Sequence, residues 1–438
     1  MNHTKKICVL GAGIAGVTTA IGLKKLGFDV SIINKKRPFR AYEGFSQRTK
    51  DGLHMLKCEK AATLLDKQSI RNSNWANQES SINYEFVVNR EELDLLLLKD
   101  TKNNNIEIIN GSVVDIDYKD VIKVSYKNNN ETLKIECDFI VDARGRFTPY
   151  KSEYTQGPKS FSILQELELS PMNEAKTSID SIKDGWVWQA YVGEKRGYLQ
   201  FSCDKEIADK ITCFDDVIKY LENQNIDLWT LKNYTLKNKL VKRDSFSKVH
   251  KEIINKKMIL VGDAAASIDP LSGNGAFQAM SMSSIAAIVV NTILHKKENL
   301  QIAIEFYKER VNFIYEKFTK IGKEFYCLEK RFDSDFWKIR QNWPKEIKTL
   351  DFEPYVKDGA IVGKDFIFAK KVLVTKENPL GVFFYKNIEI VELAQYCISH
   401  SKEDAFIYFE KFIKSNELNK EFEVNLLQWL LSESIISK

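Results

Sequence analysis

Two glycine-bearing segments carry the clearest chemistry in this chain: Gly11-Ala12-Gly13-Ile14-Ala15-Gly16, and Gly262-Asp263 followed by Asp269-Pro270-Leu271-Ser272-Gly273-Asn274-Gly275. In the first, glycine permits a tight turn, a close approach of backbone to a pyrophosphate, and tight packing of the next helix on the preceding strand. The helix that follows presents free amides and a partial positive charge to phosphate. Gly11, Gly13, Ile14, Ala15 and Gly16 are therefore expected against a dinucleotide. In the second segment, Asp263 offers a carboxylate to a sugar-chain hydroxyl just after Gly262. Pro270, Gly273, Asn274 and Gly275 then introduce a helix whose amides suit a ring that becomes anionic. Asp269 is either part of that turn or a helix-entry residue.

These segments need strands and helices to hold them. Ile7 to Leu10 and Met258 to Val261 are short apolar runs that read as buried parallel strands. Between Ile14 and Leu26, Val17, Ala20, Ile21 and Leu23 fall on the inner side of a helix that Gly27 closes. A second strand, Val30 to Ile33, completes a βαβ unit. Asn34 stands where an acidic residue usually binds a ribose; its amide oxygen accepts a hydrogen bond without charge. Lys35, Lys36 and Arg37 follow and would suit a 2′-phosphate, but both glycine segments in this order point to FAD, gripped at its two ends.

The motifs resemble the flavin-dependent monooxygenase superfamily with the p-hydroxybenzoate hydroxylase fold. Within it the chain is similar to the tryptophan-halogenase-like branch, which includes flavoproteins that hydroxylate peptide or protein tryptophan during quinone-cofactor maturation. The likeness covers roughly residues 5 to 345. Tyr42 to Arg48 resembles a segment whose arginine, here Arg48, reaches the FAD phosphates, and Arg90 occupies a second cofactor-contacting position. Arginine suits phosphate through its planar, bidentate fork. Asp142-Ala143-Arg144-Gly145 resembles the Asp-x-x-Gly turn beside the pyrophosphate. Trp186 and Trp188 match the halogenase Trp-x-Trp, but Ala190-Tyr191 replaces its Ile-Pro. Halogenases also need a lysine near the substrate, and Lys57, Lys60 and Lys67 lie in the corresponding region without a convincing match. Phe336-Trp337 also resembles this branch.

The resemblance implies an FAD-dependent oxidoreductase that hydroxylates an electron-rich aromatic ring, a tryptophan, indole or phenol, free or within a peptide or protein. Oxygen is inserted through a flavin C4a-hydroperoxide with O₂ as co-substrate. Trp186, Trp188, Pro270, Gly273 and Gly275 would frame the reaction. Electrons come from NAD(P)H or a separate flavin reductase. A flavin-dependent halogenase and a non-catalytic flavoprotein assisting quinone-cofactor maturation are the alternatives. No catalytic triad is present, and His3, His54, His250, His295 and His400 read as satisfied or exposed imidazoles.

Composition agrees. The 438 residues, 44% hydrophobic, suffice for a large core, and a net charge of +5 makes nucleic acid or membrane partners unexpected, though a mildly basic surface suits an acidic partner. Seven dispersed cysteines lack metal spacing and read as buried thiols in a reducing cytoplasm. The polar Met1 to Lys6 is not a signal peptide, and no apolar stretch is expected to reach the ~20 residues of a membrane span.

The expected fold is α/β: a Rossmann-like FAD domain (residues 1–160 plus 256–295), a substrate-binding β-sheet domain (161–255), a helical segment (296–345), and a C-terminal winged-helix-like or helical domain (346–438). In the sheet domain Trp186, Trp188, Tyr191, Tyr198 and Phe201 supply aromatic surface. Phe306, Phe313, Phe318 and Phe325 read as a core stripe of a long helix. The C-terminal domain, with Ala405, Phe406, Phe409, Phe412 and Ile413 on one helix face, is either a docking module for a peptide substrate or a helical cap.

Overall fold

The computed structural model describes residues 4–37, 41–150, 152–345 and 352–436; His3 lies outside them. Five short apolar runs build a wholly parallel sheet in the order Met258–Leu260, Phe139–Asp142, Lys6–Leu10, Asp29–Asn34, Glu107–Asn110. Leu10 lies beside Asp142, and Asp142 beside Leu260, so three strands stop at one level. Their C-terminal ends, where open α/β sheets bind ligands, deliver Gly11, Ala143 and Val261 side by side.

Helix Ile14–Lys25 covers this sheet and ends at Gly27, whose φ is +90°. Helix Gly275–His295 crosses it closely. Thr18 and Ser283 share a buried hydrogen bond of 2.7 Å, and a Cβ at Gly22 would stand 2.9 Å from that of Ala287. Close approach explains why this helix is rich in small residues. Contrary to the sequence expectation, this 21-residue helix, with a mean hydropathy of 1.5 over its most apolar 18-residue stretch, is long and apolar enough to cross a membrane by length and composition. Most of that stretch is buried within the protein.

A second sheet has eight strands, in the order Tyr234–Asp244, Phe161–Leu169, Arg196–Cys203, Gly185–Tyr191, Lys176–Ile182, Ser69–Trp75, Gln78–Asn89, Tyr42–Phe45. The substrate layer is therefore not confined to residues 161–255. Lys176–Ile182 pairs in parallel with Ser69–Trp75, and a parallel neighbour must come from a distant segment. Period-two alternation sorts the aromatics. Trp186, Trp188 and Tyr198 share one face, whereas Tyr191 and Phe201 turn to the other and pack with Phe214 and Val217. Those last two rings are therefore not on the face that carries Trp186 and Trp188.

On the far side of the sheet, Asp180 is buried and accepts a hydrogen bond from Ser178 at 3.2 Å. Burial outweighs that bond and pushes its carboxyl up to about 6. The folded state thus keeps a proton that the unfolded chain releases in the usual carboxylate range, and stability falls as pH rises between that range and about 6. Asp180→Asn is expected to gain about 1–3 kcal/mol at pH 8 and to flatten the pH dependence. Urea unfolding of both proteins at pH 5 and pH 8 checks this.

Residues 1–287 and 314–345 form one compact unit containing both large sheets; residues 288–313 and 346–438 form a second. The expected helical segment 296–345 is thus divided between them. Helix Leu300–Leu328 buries Tyr307, Val311, Ile314, Tyr315 and Tyr326, not the phenylalanine stripe, and Phe325 is 43% exposed. At ~100° per residue, the step from Phe313 to Phe318 swings well away from the Phe306–Phe313 side.

In the second unit, strands Tyr355–Val362 and Ile367–Val374 pair antiparallel, and helices Val391–Ser399, Lys402–Ser415 and Lys420–Ser432 follow. Ala405, Phe409 and Ile413 enter a core with Leu393, Leu426 and Leu430, flanked by Phe406 and Phe412. Ser401 and Asn419 cap the last two helices, accepting from the amides of Asp404 and Phe422. All seven cysteines are free; Cys213 is exposed and Cys327 half-buried, while the other five are buried as expected.

Candidate active site

The strand ends of the parallel sheet and one face of the eight-stranded sheet enclose a cavity of about 1710 Å³ within the first unit. Its glycine cradle is dictated by space. Gly11 has φ +101°, and a Cβ there would lie 2.7 Å from the Ala143 carbonyl oxygen. A Cβ on Gly16 would lie 2.0 Å from the Gly11 oxygen. Gly262 has φ +60°, and its Cβ would stand 2.7 Å from that of Ala15. Gly11, Gly13, Ile14 and Ala15 line the cavity; Gly16 and Gly262 lie behind, holding the turns together.

Asn34 lines the cavity and its Oδ1 accepts from the Ala12 amide at 3.3 Å, so the residue in the usual acid's place ties down the glycine turn. Asp142 is buried behind the lining. It accepts from the Arg144 amide (3.1 Å), Arg144 Nε (3.0 Å), Arg144 Nη2 (2.6 Å) and Thr148 Oγ1 (2.7 Å), fixing the turn that presents Gly145 to the cavity at φ +64°. Asp263 lines the cavity beside this turn, 3.8 Å from Arg146, and Pro270, Gly273 and Gly275 line it as well. Asn274 does not; its Nδ2 donates to the Ser272 carbonyl at 2.6 Å and closes the turn. Asp269 is a helix-entry residue, accepting from the Leu271 amide and the Tyr326 hydroxyl, each at 3.0 Å. Burial pushes its carboxyl up.

Arg90 reaches the cavity at the start of a helix capped by Asn89. Its Nη1 donates to Glu43 at 2.8 Å, and its buried Nε has no hydrogen-bond partner. Burial alone would push the Glu43 carboxyl up, but Arg90, Arg243 and Arg37 hold it down at about 2. Three guanidiniums share Glu43 and Asp94, and Lys35 and Lys36 also line this wall, so it carries excess positive charge. Arg48 is exposed and lies off the cavity lining. Tight glycine turns, free helix-terminal amides and a cationic wall with an unpaired guanidinium nitrogen fit the two phosphates of FAD.

At the other end, Trp186 and Trp188 both face the cavity, with Tyr198 5.9 Å edge-on to Trp188 and 5.0 Å from Tyr42. Trp188 Nε1 donates to Glu85 Oε1 at 3.1 Å, and the buried Tyr198 hydroxyl has no partner. A Cβ at Gly44 would stand 2.0 Å from Glu85 Oε2, so a larger residue there would push this carboxylate aside. Behind the wall, Trp337 Nε1 donates to the Ile182 and Lys183 carbonyls at 3.0 Å each and packs on Phe336 and Tyr326. Glu85 and Arg71, both on the cavity, were not foreseen. Their strands mix polar and apolar residues and are only partly buried, so residue type alone gives no sign of which charge points inward. Lys57, Lys60 and Lys67 are exposed, and none lines the cavity. His54 is exposed and paired with Glu59 at 2.7 Å.

Trp188→Phe should leave FAD binding intact yet cost about 1–3 kcal/mol of stability, because the buried Glu85 carboxylate loses its donor. Thermal unfolding alongside the flavin spectrum separates the two effects.

The family model described as tryptophan halogenase matches residues 39–353. The solved structure of the peptidyl tryptophan dihydroxylase QhpG, essential for tryptophylquinone cofactor biogenesis, is 27% identical with a TM-score of 0.83, covering 98% of this chain and 99% of that one. CmlS, a flavin-dependent halogenase, shares the fold at 17% identity and a TM-score of 0.79, over 99% of this chain and 96% of its own. The tryptophan 2-halogenase of Chondromyces crocatus is 25% identical over 374 residues, 77% of this chain and 70% of that protein.

Proposed function

Because the chain belongs to the tryptophan halogenase family, we propose that it is an FAD-dependent monooxygenase that hydroxylates a tryptophan side chain carried in a peptide or protein. The observation that carries this reading is the end-to-end likeness to the peptidyl tryptophan dihydroxylase, which includes the region beyond residue 353. Bound FAD supplies the activation of dioxygen. The chain's own residues do the rest. Arg90 and the amides of the glycine turn would hold the FAD phosphates, and the turn at Gly273, which lines the same cavity, would hold its ring end. Trp186, Trp188 and Tyr198 give the substrate ring apolar faces and keep water out. Glu85, fixed by Trp188, is a carboxylate able to accept an indole N–H, and the unpaired Tyr198 hydroxyl is a further donor.

NAD(P)H or a separate flavin reductase would supply electrons. Residues 346–438 would dock the peptide, and the free thiols support a cytoplasmic setting. The test is mass spectrometry of a tryptophan-containing peptide after incubation with the enzyme, reduced FAD and O₂, with and without bromide. A gain of one or two oxygen atoms is expected in both. A bromide-dependent mass would make the protein a halogenase, and an unchanged peptide with a stable flavin complex would make it a non-catalytic flavoprotein.

A further inference from the structure

We propose that the strand Tyr234–Asp244 is a docking track on which an acidic stretch of the peptide substrate lies as an added β-strand; this rests on the peptide reading above. The strand is at the edge of the eight-stranded sheet, paired with Phe161–Leu169 on one side and, among the described residues, with no strand on the other, and its middle is exposed. It reads Lys237-Asn238-Lys239-Leu240-Val241-Lys242-Arg243.

Its register is interrupted where it matters. Pairing passes from Glu166 with Lys237 to Leu164 with Val241, leaving Asn238 to Leu240 bulged opposite Gln165. Asn238 takes φ +60°, and Gln165 Nε2 donates to the Lys237 carbonyl at 2.8 Å to hold the bulge. Bulges re-aim side chains beside functional sites. Here the bulge brings Asn238 and Lys239 to the lining of the aromatic cavity, with Val241 and Lys242 beyond.

Charge then selects the occupant. Glu168 is engaged by Lys237 at 2.6 Å, and Glu166 by Asn238. Lys242 donates to the Ala208 carbonyl at 2.6 Å, and Arg243 stands 3.8 Å from Glu43. Lys239 is exposed with no ion-pair partner among the described residues. Lysines and bulges on an edge strand also deter unwanted pairing, but that role does not require the unpaired lysine to stand at a cavity mouth. An extended peptide added here would gain main-chain hydrogen bonds along the edge, and one side chain could enter the cavity.

Fluorescence anisotropy of the full-length, FAD-loaded protein tests this with a short labelled peptide holding one tryptophan among Asp and Glu residues, and with its Asn/Gln counterpart. The acidic peptide is expected to bind ~10-fold tighter at low salt, with the gap closing as salt rises. Lys239→Glu, checked for an unchanged melting midpoint, should abolish the preference, and alternate N-methylation of the acidic peptide should abolish its tighter binding. Equal binding of the two peptides, a preference unaffected by Lys239→Glu, or indifference to N-methylation would each overturn the proposal. So would equal competition from a single-stranded oligonucleotide, which would make the edge a general polyanion surface. Each arm reads binding alone, so the oxygen gain measured by mass spectrometry still decides the peptide-hydroxylase reading independently.

Discussion

Gly16→Ala is expected to yield a folded, colourless protein. The added Cβ would lie 2.0 Å from the Gly11 carbonyl oxygen and 3.1 Å from the Ala143 Cβ. The first is a backbone atom, so no side-chain rotation relieves the contact. The helix Ile14–Lys25 must lift from the turn or the turn must move. The turn has little freedom: the Gly11 amide donates to the Ile33 carbonyl at 2.9 Å, and the Ala12 amide to Asn34. Either movement displaces the amides that would face phosphate. We expect FAD affinity to fall more than ~100-fold, equivalent to roughly 3 kcal/mol, read as flavin absorbance retained after gel filtration. Gly13→Ala is the control. Gly13 is extended, with φ −76°, and nothing lies within 4 Å of a Cβ there. That variant should fold with unchanged stability, so any flavin it loses reports on close approach of the ligand. A yellow Gly16→Ala protein of normal affinity would refute the cradle as described.

Glu329→Ala should destabilise the first unit by about 3–5 kcal/mol, because it leaves the Arg331 guanidinium and two backbone amides without their acceptor. Glu329 is fully buried. It accepts from Arg331 Nη2 at 2.7 Å, from Ser181 Oγ at 2.6 Å, and from the amides of Ala76 and Arg331. These ties join the hairpin turn near Ala76, the strand Lys176–Ile182 and the chain after helix Leu300–Leu328, three segments with no local connection. Burial raises its carboxyl, but the bonds from Arg331, Ser181 and the amides win and hold it at about 2. Its contribution is therefore complete above the usual carboxylate range and is lost as pH falls through about 2. Glu329→Gln keeps the shape and should fall between wild type and alanine. Unfolding followed by tryptophan fluorescence distinguishes the three, and a Glu329→Ala protein within about 1 kcal/mol of wild type would show the network to be dispensable.

The cofactor half of the molecule was legible because its rules are local. A strand, a glycine turn and a helix occupy neighbouring residues, so spacing places Gly11 to Gly16 and Gly262 to Gly275 directly. Arg90 comes to the cavity lining for the same reason, one residue after a helix cap. Arg48 was misplaced because it sits one residue into a helix, Gln47–Met55, that turns it to solvent. The aromatic half was only partly legible. Alternation put Trp186 and Trp188 on one face, but it also separates Tyr191 and Phe201 from them, which a reading by residue type alone overlooks. Glu85 escaped notice because its meaning depends on partners from other strands, Gly44 and Trp188. The parallel pairing of Ser69–Trp75 with Lys176–Ile182 is likewise a property of the assembled sheet.

The strand order of the parallel sheet has a consequence for how the protein is made. Lys6–Leu10 emerges first from the ribosome, its partner Phe139–Asp142 much later, and Met258–Leu260, which completes the row, later still. At ~5–20 residues per second, the wait from first strand to last is on the order of tens of seconds. From its own emergence until the last strand arrives, the strand Phe139–Asp142 keeps an open apolar edge, while the strands of the larger sheet up to Tyr234–Asp244 become available to pair. Flavin cannot act as an early template for folding, because the turn at Gly262 is missing until the final strand arrives. Arrested chains ending before residue 258 should hold a nearly finished eight-stranded sheet beside an unsealed cofactor fold, and that exposed edge is where chaperones would be needed.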